Sequence, residues 1–193
     1  LVTPLNSEGG LDTEGLAKLV EHVIEGGVTG IFILGTSGEG PSLSKALQKE
    51  LIKQASQFIK GRVKFLVGVT DTSLQETVRL TREAVNYGAD AVVVAPPPYY
   101  PLSNKVLLRY IKFLAQNSPV PLFLYNIPVM VKTRIEADII LRLMDEPNIK
   151  GLKDSSKDIG YFEQVALIVN QRPDWSLLTG YEVLLAESMK LGG

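Results

Sequence analysis

The chain has no cysteine, a single histidine (His22), a single tryptophan (Trp175) and three methionines in 193 residues. Without cysteine there are no disulfides, no thiolate nucleophile and no thiolate-bound zinc. One histidine cannot anchor a multi-histidine metal site. Neither sign of charge dominates: 20 Lys and Arg stand against 21 Asp and Glu, a net charge of -1. This leaves no electrostatic footprint for nucleic acid or an anionic membrane. No apolar run is long enough to span a bilayer. The chain opens on Leu1-Val2-Thr3-Pro4 without a Met, as a strand cut partway would, so a removed targeting segment stays open. What is present is an ordinary globular balance, 45% hydrophobic and 21% charged, enough for one domain over residues 1–193.

Short apolar runs recur about every thirty residues, the length of a βα unit. They are 30–34, 64–69, 90–95, 121–125, 149–153 and 176–179. Their nearly continuous apolar character suits parallel strands buried on both faces. Amphipathic segments lie between them. Asp12 and Ser44 are candidate N-caps, Ser73 and Glu76 form a capping-box pattern, and Gly88 is a C′ stop. Further helices are predicted over 104–116, 136–144, 159–170 and 181–191. Strands alternating with helices mean an α/β fold with a parallel sheet, closed as a barrel or left open. Gly35-Thr36-Ser37-Gly38-Glu39-Gly40 has neither the G-x-G-x-x-G spacing of a dinucleotide site nor the Gly-Lys-Ser/Thr of a phosphate loop. Six strands and a remnant at residues 1–3 are fewer than a closed (β/α)8 barrel needs. The sequence therefore reads as an open sheet or as a barrel lacking its end.

The residues with chemistry to offer fall just after strand ends, where barrels of this type place their active sites. Lys153 closes the run Ile149-Lys150-Gly151-Leu152-Lys153. An ammonium is costly beside an apolar strand, and a neutral lysine amine attacks carbonyl carbons to give a Schiff base. Read on its strand alone, it is more readily a solvated strand-end lysine, the reading that Lys150 also takes. Thr36, Ser37 and Gly38 follow the first strand, and two hydroxyls with backbone N–H groups suit a carboxylate; alone, they also read as a polar turn. Tyr99 and Tyr100 follow three prolines in a rigid loop and would equally serve at a packing interface. Tyr125 closes its strand, where a phenol can relay protons or simply belong to the core. Ser155 is placed to touch a substrate hydroxyl or to cap a turn with Asp154. Glu182, beyond Gly180, is an acceptor for hydroxyls or a favourable acid in a first helical turn.

Together these positions resemble the dihydrodipicolinate synthase / N-acetylneuraminate lyase family of Schiff-base-forming, pyruvate-dependent enzymes. Gly35-Thr36-Ser37-Gly38-Glu39 is similar to the family's G-[ST]-[ST]-G-E loop. Pro98-Tyr99-Tyr100 is similar to its tyrosine motif, Tyr125-Asn126-Ile127-Pro128 to Y-N-x-P, and Gly151-Leu152-Lys153-Asp154-Ser155 to G-x-K-[DE]-[ST]. The resemblance implies a (β/α)8 TIM barrel, here ending before the eighth strand and the C-terminal helices. It implies a cytoplasmic homotetramer or homodimer acting on a small 2-oxo acid, pyruvate, and an aldehyde, with no metal, no organic cofactor, no nucleic acid and no membrane partner. Lys153 would form the imine, Tyr125 would move protons above it, and Thr36 with Ser37 would hold the carboxylate. Thr36 would also join the relay, which Tyr100 from a neighbouring subunit would complete.

Two departures bear on substrate. Dihydrodipicolinate synthases carry an arginine two residues beyond the proline of Y-N-x-P, and here that position is Met130. Gly180-Tyr181-Glu182 is similar to the Gly-Tyr-Asp segment of the neuraminate lyases, but a second acid is replaced by Val183. The expected activity is an aldolase on a hydroxylated 2-oxo acid such as a 2-oxo-3-deoxy sugar acid, with a dehydratase outcome open. The alternatives are dihydrodipicolinate synthase itself and a non-catalytic 2-oxo-acid-binding barrel or inactive fragment. A 193-residue chain standing alone would carry unpaired strand edges and is expected to be poorly stable.

Overall fold

The apolar run Gly30–Ile33 forms β1 and Lys64–Gly68 forms β2, paired in parallel from Gly30 opposite Lys64 to Ile33 opposite Val67. Ile31, Ile33, Phe65 and Val67 are buried, as strands sandwiched between layers require. The computed structural model describes residues 1–193 and divides them into two units. One comprises Leu1–Val69 and Leu74–Val92; the other comprises Thr70–Ser73 and Val93–Gly193. No helix is long and apolar enough to cross a membrane.

The first unit holds α1 (Thr13–Glu25), β1, α2 (Lys45–Ile59), β2, α3 (Leu74–Asn86) and the start of β3 (Ala91–Val94), with strand order β1-β2-β3. Two of the predicted caps, Asp12 and Ser44, work as local chemistry demands. Asp12 accepts from the Gly15 N–H at 2.9 Å, and Ser44 accepts from the Leu47 N–H at 3.2 Å. Leu51, Ile52 and Ala55 turn the apolar face of α2 inward. Gly88, at φ +81, stops α3 in the left-handed conformation that glycine adopts without penalty. Leu1–Thr3 forms no strand here, although the Leu1 amine donates to the Phe32 carbonyl at 2.8 Å.

The second unit runs from the end of β3 through α4 (Asn104–Asn117), β4 (Leu122–Asn126), α5 (Pro128–Val131), α6 (Ala137–Leu143), β5 (Ile149–Asp154), α7 (Ile159–Val169), β6 (Ser176–Thr179) and α8 (Leu185–Lys190), with strand order β3-β4-β5-β6. Strand order equal to chain order, with helices between parallel strands, is the progression of a (β/α) barrel. The helix predicted over 181–191 is divided. Tyr181 stays extended, with its N–H and carbonyl both at 3.4 Å from the Thr179 hydroxyl. A 3₁₀ turn at Glu182–Leu184 then precedes α8.

The pairing of β4 with β5 contains one irregularity that matters for the site. Leu122 pairs with Ile149, but Phe123 pairs with Gly151, so Lys150 is an extra residue on β5. This is a β-bulge. Lys150 turns outward to Asp174 at 2.9 Å. Beyond the bulge Leu124 faces Leu152, Tyr125 faces Lys153 and Asn126 faces Asp154. Gly151 is required where it stands, because a Cβ there would strike the Ser176 carbonyl oxygen and lie 2.8 Å from the Phe123 ring.

Candidate functional site

In the second unit the bulged register puts Tyr125 and Lys153 side by side on one face of the sheet. Lys153 Nζ lies 4.2 Å from the Tyr125 ring centroid, with Lys153 half-buried and Tyr125 buried. A cation this close to a ring face is held by the ring quadrupole. The next residue on that face of β5 is Ser155, whose N–H continues the ladder to the Asn126 carbonyl at 2.8 Å. Its Oγ is buried and has no hydrogen-bond partner, an arrangement that costs free energy unless something else supplies the bond.

Gly180 closes this group. Its N–H donates to the Asp154 carbonyl at 2.7 Å. A Cβ at residue 180 would sit against Ser155 Oγ, 2.6 Å from Lys153 Cε and 3.2 Å from Lys153 Nζ. Lys153, Tyr125, Ser155 and Gly180 are thus gathered at the ends of three neighbouring strands. Glu182 is exposed at the start of the 3₁₀ turn that follows. Its neighbour Tyr181 carries Lys157 Nζ 5.0 Å from its ring centroid.

On the opposite face of the same two strands lies a buried polar group. Asn126 is fully buried, and its Nδ2 donates to Asp154 Oδ1 at 2.7 Å while its Oδ1 accepts from the Ile135 N–H at 3.0 Å. Asp154 also accepts from the Ser156 N–H at 3.2 Å and the Ser156 hydroxyl at 2.9 Å. Burial raises the Asp154 carboxyl above its ordinary value, and these donors only partly oppose it. The Tyr161 hydroxyl donates to the Ile135 carbonyl at 2.6 Å, and burial, with Asp154 nearby, pushes that phenol well up. Arg134 stacks 4.3 Å from the Tyr161 ring centroid and pairs with Asp158 at 2.7 Å. Of this network the sequence offers only Asp154, as a turn cap, and that part is seen in its bonds to Ser156. The one signal for the rest is an offset: Asn126 follows Tyr125 as Asp154 follows Lys153.

Tyr100 is 73% exposed and meets Tyr99 edge-on, with ring centroids 4.8 Å apart. Tyr99 takes a positive φ of 86 and receives Lys132 Nζ 5.7 Å from its ring centroid. Met130 is exposed on α5, a short helix the sequence pattern did not reveal. In the first unit Thr36–Gly38 is a 3₁₀ turn with both side-chain hydroxyl residues exposed and Gly38 buried. The Gly38 carbonyl accepts from the Thr3 hydroxyl at 2.7 Å. No cluster of three or more His, Asp or Glu side chains is placed to hold a metal ion.

Parallel strands in chain order, with helices between them, define an α/β-barrel protein, and Lys153 and Tyr125 at the ends of two neighbouring strands make a candidate site. The chain belongs to the dihydrodipicolinate synthetase family, whose model matches residues 1–193. It is 33% identical over its whole length to the 4-hydroxy-tetrahydrodipicolinate synthase of Nitrosococcus oceani. The solved dihydrodipicolinate synthase of Bacteroides thetaiotaomicron superposes with a TM-score of 0.96 at 44% identity, covering 100% of this chain and 65% of that one. YagE of Escherichia coli K12, a putative 2-dehydro-3-deoxy-D-gluconate aldolase solved with pyruvate, superposes with a TM-score of 0.96 at 31% identity and the same two coverages. The fold is thus the (β/α)8-barrel fold of that family over the residues matched. The chain spans 65% of the length of the Nitrosococcus relative.

Proposed function

We propose that the protein is a Schiff-base lyase that makes or breaks a carbon–carbon bond between pyruvate and an aldehyde. The observation that carries this reading is the Lys153 amine 4.2 Å from the Tyr125 ring centroid at the ends of paired strands. The Lys153 ammonium gives up a proton, and the amine so formed attacks the C2 carbonyl of pyruvate, giving a carbinolamine. Loss of the former carbonyl oxygen as water gives the protonated imine. That cation draws electrons from the adjacent carbon, so a C3 proton or a C3–C4 bond can leave with its electron pair held as the enamine. Tyr125 is proposed to carry the protons for carbinolamine formation and collapse. The bare α-carbon of Gly180 lets the Lys153 and Ser155 side chains stand together beside it, and the unpartnered Ser155 hydroxyl is ready for a substrate hydroxyl. The Thr36-Ser37-Gly38 turn is proposed to bind a carboxylate, on its motif alone. Tyr100, exposed on its loop, is proposed to act in a neighbouring subunit of a homo-oligomer.

For the second substrate we favour a hydroxylated 2-oxo acid of the 2-oxo-3-deoxy sugar acid type. Met130 offers no guanidinium for a second carboxylate, and Lys132 lies toward Tyr99. The sugar-acid aldolase among its relatives supports the same reading. A dihydrodipicolinate synthase reading is favoured by the Nitrosococcus relative and opposed by Met130. A panel assay decides between them. Pyruvate release from 2-oxo-3-deoxy sugar acids, exceeding turnover of aspartate semialdehyde with pyruvate, is the expected result. The reverse order would establish the synthase.

A further inference from the structure

We propose that Asn126 and Asp154 are positioning residues, a clasp that selects the bulged register of β4 against β5 and thereby brings Lys153 level with Tyr125. The inference rests on the Schiff-base reading of Lys153 and deepens it. Two parallel strands leaving the Leu122–Ile149 pair could continue without a bulge, placing Phe123 opposite Lys150 and Tyr125 opposite Leu152. A one-residue slip of this kind turns every side chain of a strand to the other face. In that alternative, Lys153 would stand opposite Asn126 and away from Tyr125. The observed register instead sets Asn126 opposite Asp154, where Nδ2 reaches Oδ1 at 2.7 Å. The amide–carboxylate bond is thus available in the bulged register, and the bulge places the lysine.

The clasp is built to hold one orientation. Both ends of the Asn126 amide are committed, to Asp154 and to the Ile135 N–H, so the group cannot flip without losing two bonds. Ile135 is tied in turn by its carbonyl to the Tyr161 hydroxyl on α7. The segment that leaves Tyr125 through Ile127, α5 and Met130 therefore returns to the same asparagine. A buried amide and carboxylate are a poor way to gain stability compared with two apolar side chains. Fully bonded, they make one arrangement unique.

Pyruvate trapping by borohydride, run as a function of pyruvate concentration with circular dichroism as a control for folding, tests the clasp. Asn126→Ala and Asp154→Ala are expected to lower the maximum trapping rate about tenfold or more, leaving the half-saturating pyruvate within about threefold, because a misplaced amine is slow rather than blind to substrate. The exchanged pair Asn126→Asp with Asp154→Asn keeps one amide facing one carboxylate, loses the Ser156 N–H bond to residue 154, and is expected to trap at least about threefold faster than either single variant. If the single variants unfold, a folded and active exchanged pair still supports the clasp. Folded single variants that trap at the parent rate, or an exchanged pair that falls short of that gain or is unfolded, overturn it. If the parent chain itself forms no adduct, the Schiff-base reading fails and the clasp falls with it.

Discussion

Lys153 is one of many lysines, and at the scale of the residue its distinction lies in what surrounds it. Tyr125 presents a ring face, Ser155 an unpartnered hydroxyl, and Gly180 an absence of side chain. Gly180→Ala places a methyl 2.6 Å from Lys153 Cε, so trapping of pyruvate is expected to fall at least about tenfold while the unfolding midpoint moves little, the crowded atoms being side-chain ends. Tyr125→Phe is expected to slow turnover by about 10²–10⁴-fold, the usual share of a positioned acid–base group, with pyruvate still bound. Asp154 gives a pH prediction. Burial raises its folded pKa, so the protonated form favours folding. That stabilisation is complete below the unfolded value, about 3.9, and is lost as pH rises through the raised folded value. Denaturant midpoints measured against pH should therefore show Asp154→Asn gaining on the parent as pH rises across that window; parallel curves would contradict the burial argument. Lys153, Tyr125 and the hydroxyl residues were legible because each is a chemically telling side chain at the end of an apolar run. The Asn126–Asp154 bond was not, because it exists only once the register between two strands is known.

At the scale of the element, the proposed chemistry depends on a bulge. Gly151 lies beside the extra residue Lys150, packed against the Ser176 carbonyl and the Phe123 ring. Gly151→Ala is expected to cost about 1–3 kcal/mol by overpacking and to reduce trapping as β5 shifts, read by urea unfolding and by adduct yield. Asp12→Ala, which removes the bond from the Gly15 N–H at the start of α1, is expected to cost about 1 kcal/mol. The longer elements could be read from sequence because their patterns are long: α1 and α2 stand where apolar faces and cap residues together place them, and α4 where its apolar face does. Helix α5 escaped because Pro128–Val131 is too short to display a period. The break between the 3₁₀ turn and α8 escaped because Thr179 holds Tyr181 extended through contacts that no spacing announces.

At the scale of the whole molecule, the sequence named the family through four ordered motifs, and the family model covers every residue. What it did not name is the second substrate, since that depends on side chains that line a pocket rather than on those that carry the shared chemistry. A net charge of -1 predicts pyruvate trapping only weakly dependent on ionic strength in the range that governs nucleic-acid binding. The central claim is that Lys153 forms the imine. Incubation with pyruvate and borohydride, followed by intact-mass and peptide-mass measurement, tests it most directly. A single reduced pyruvate adduct is expected on the peptide containing Lys153, absent from Lys153→Ala. No adduct on the parent chain, or an adduct that survives Lys153→Ala, would contradict it.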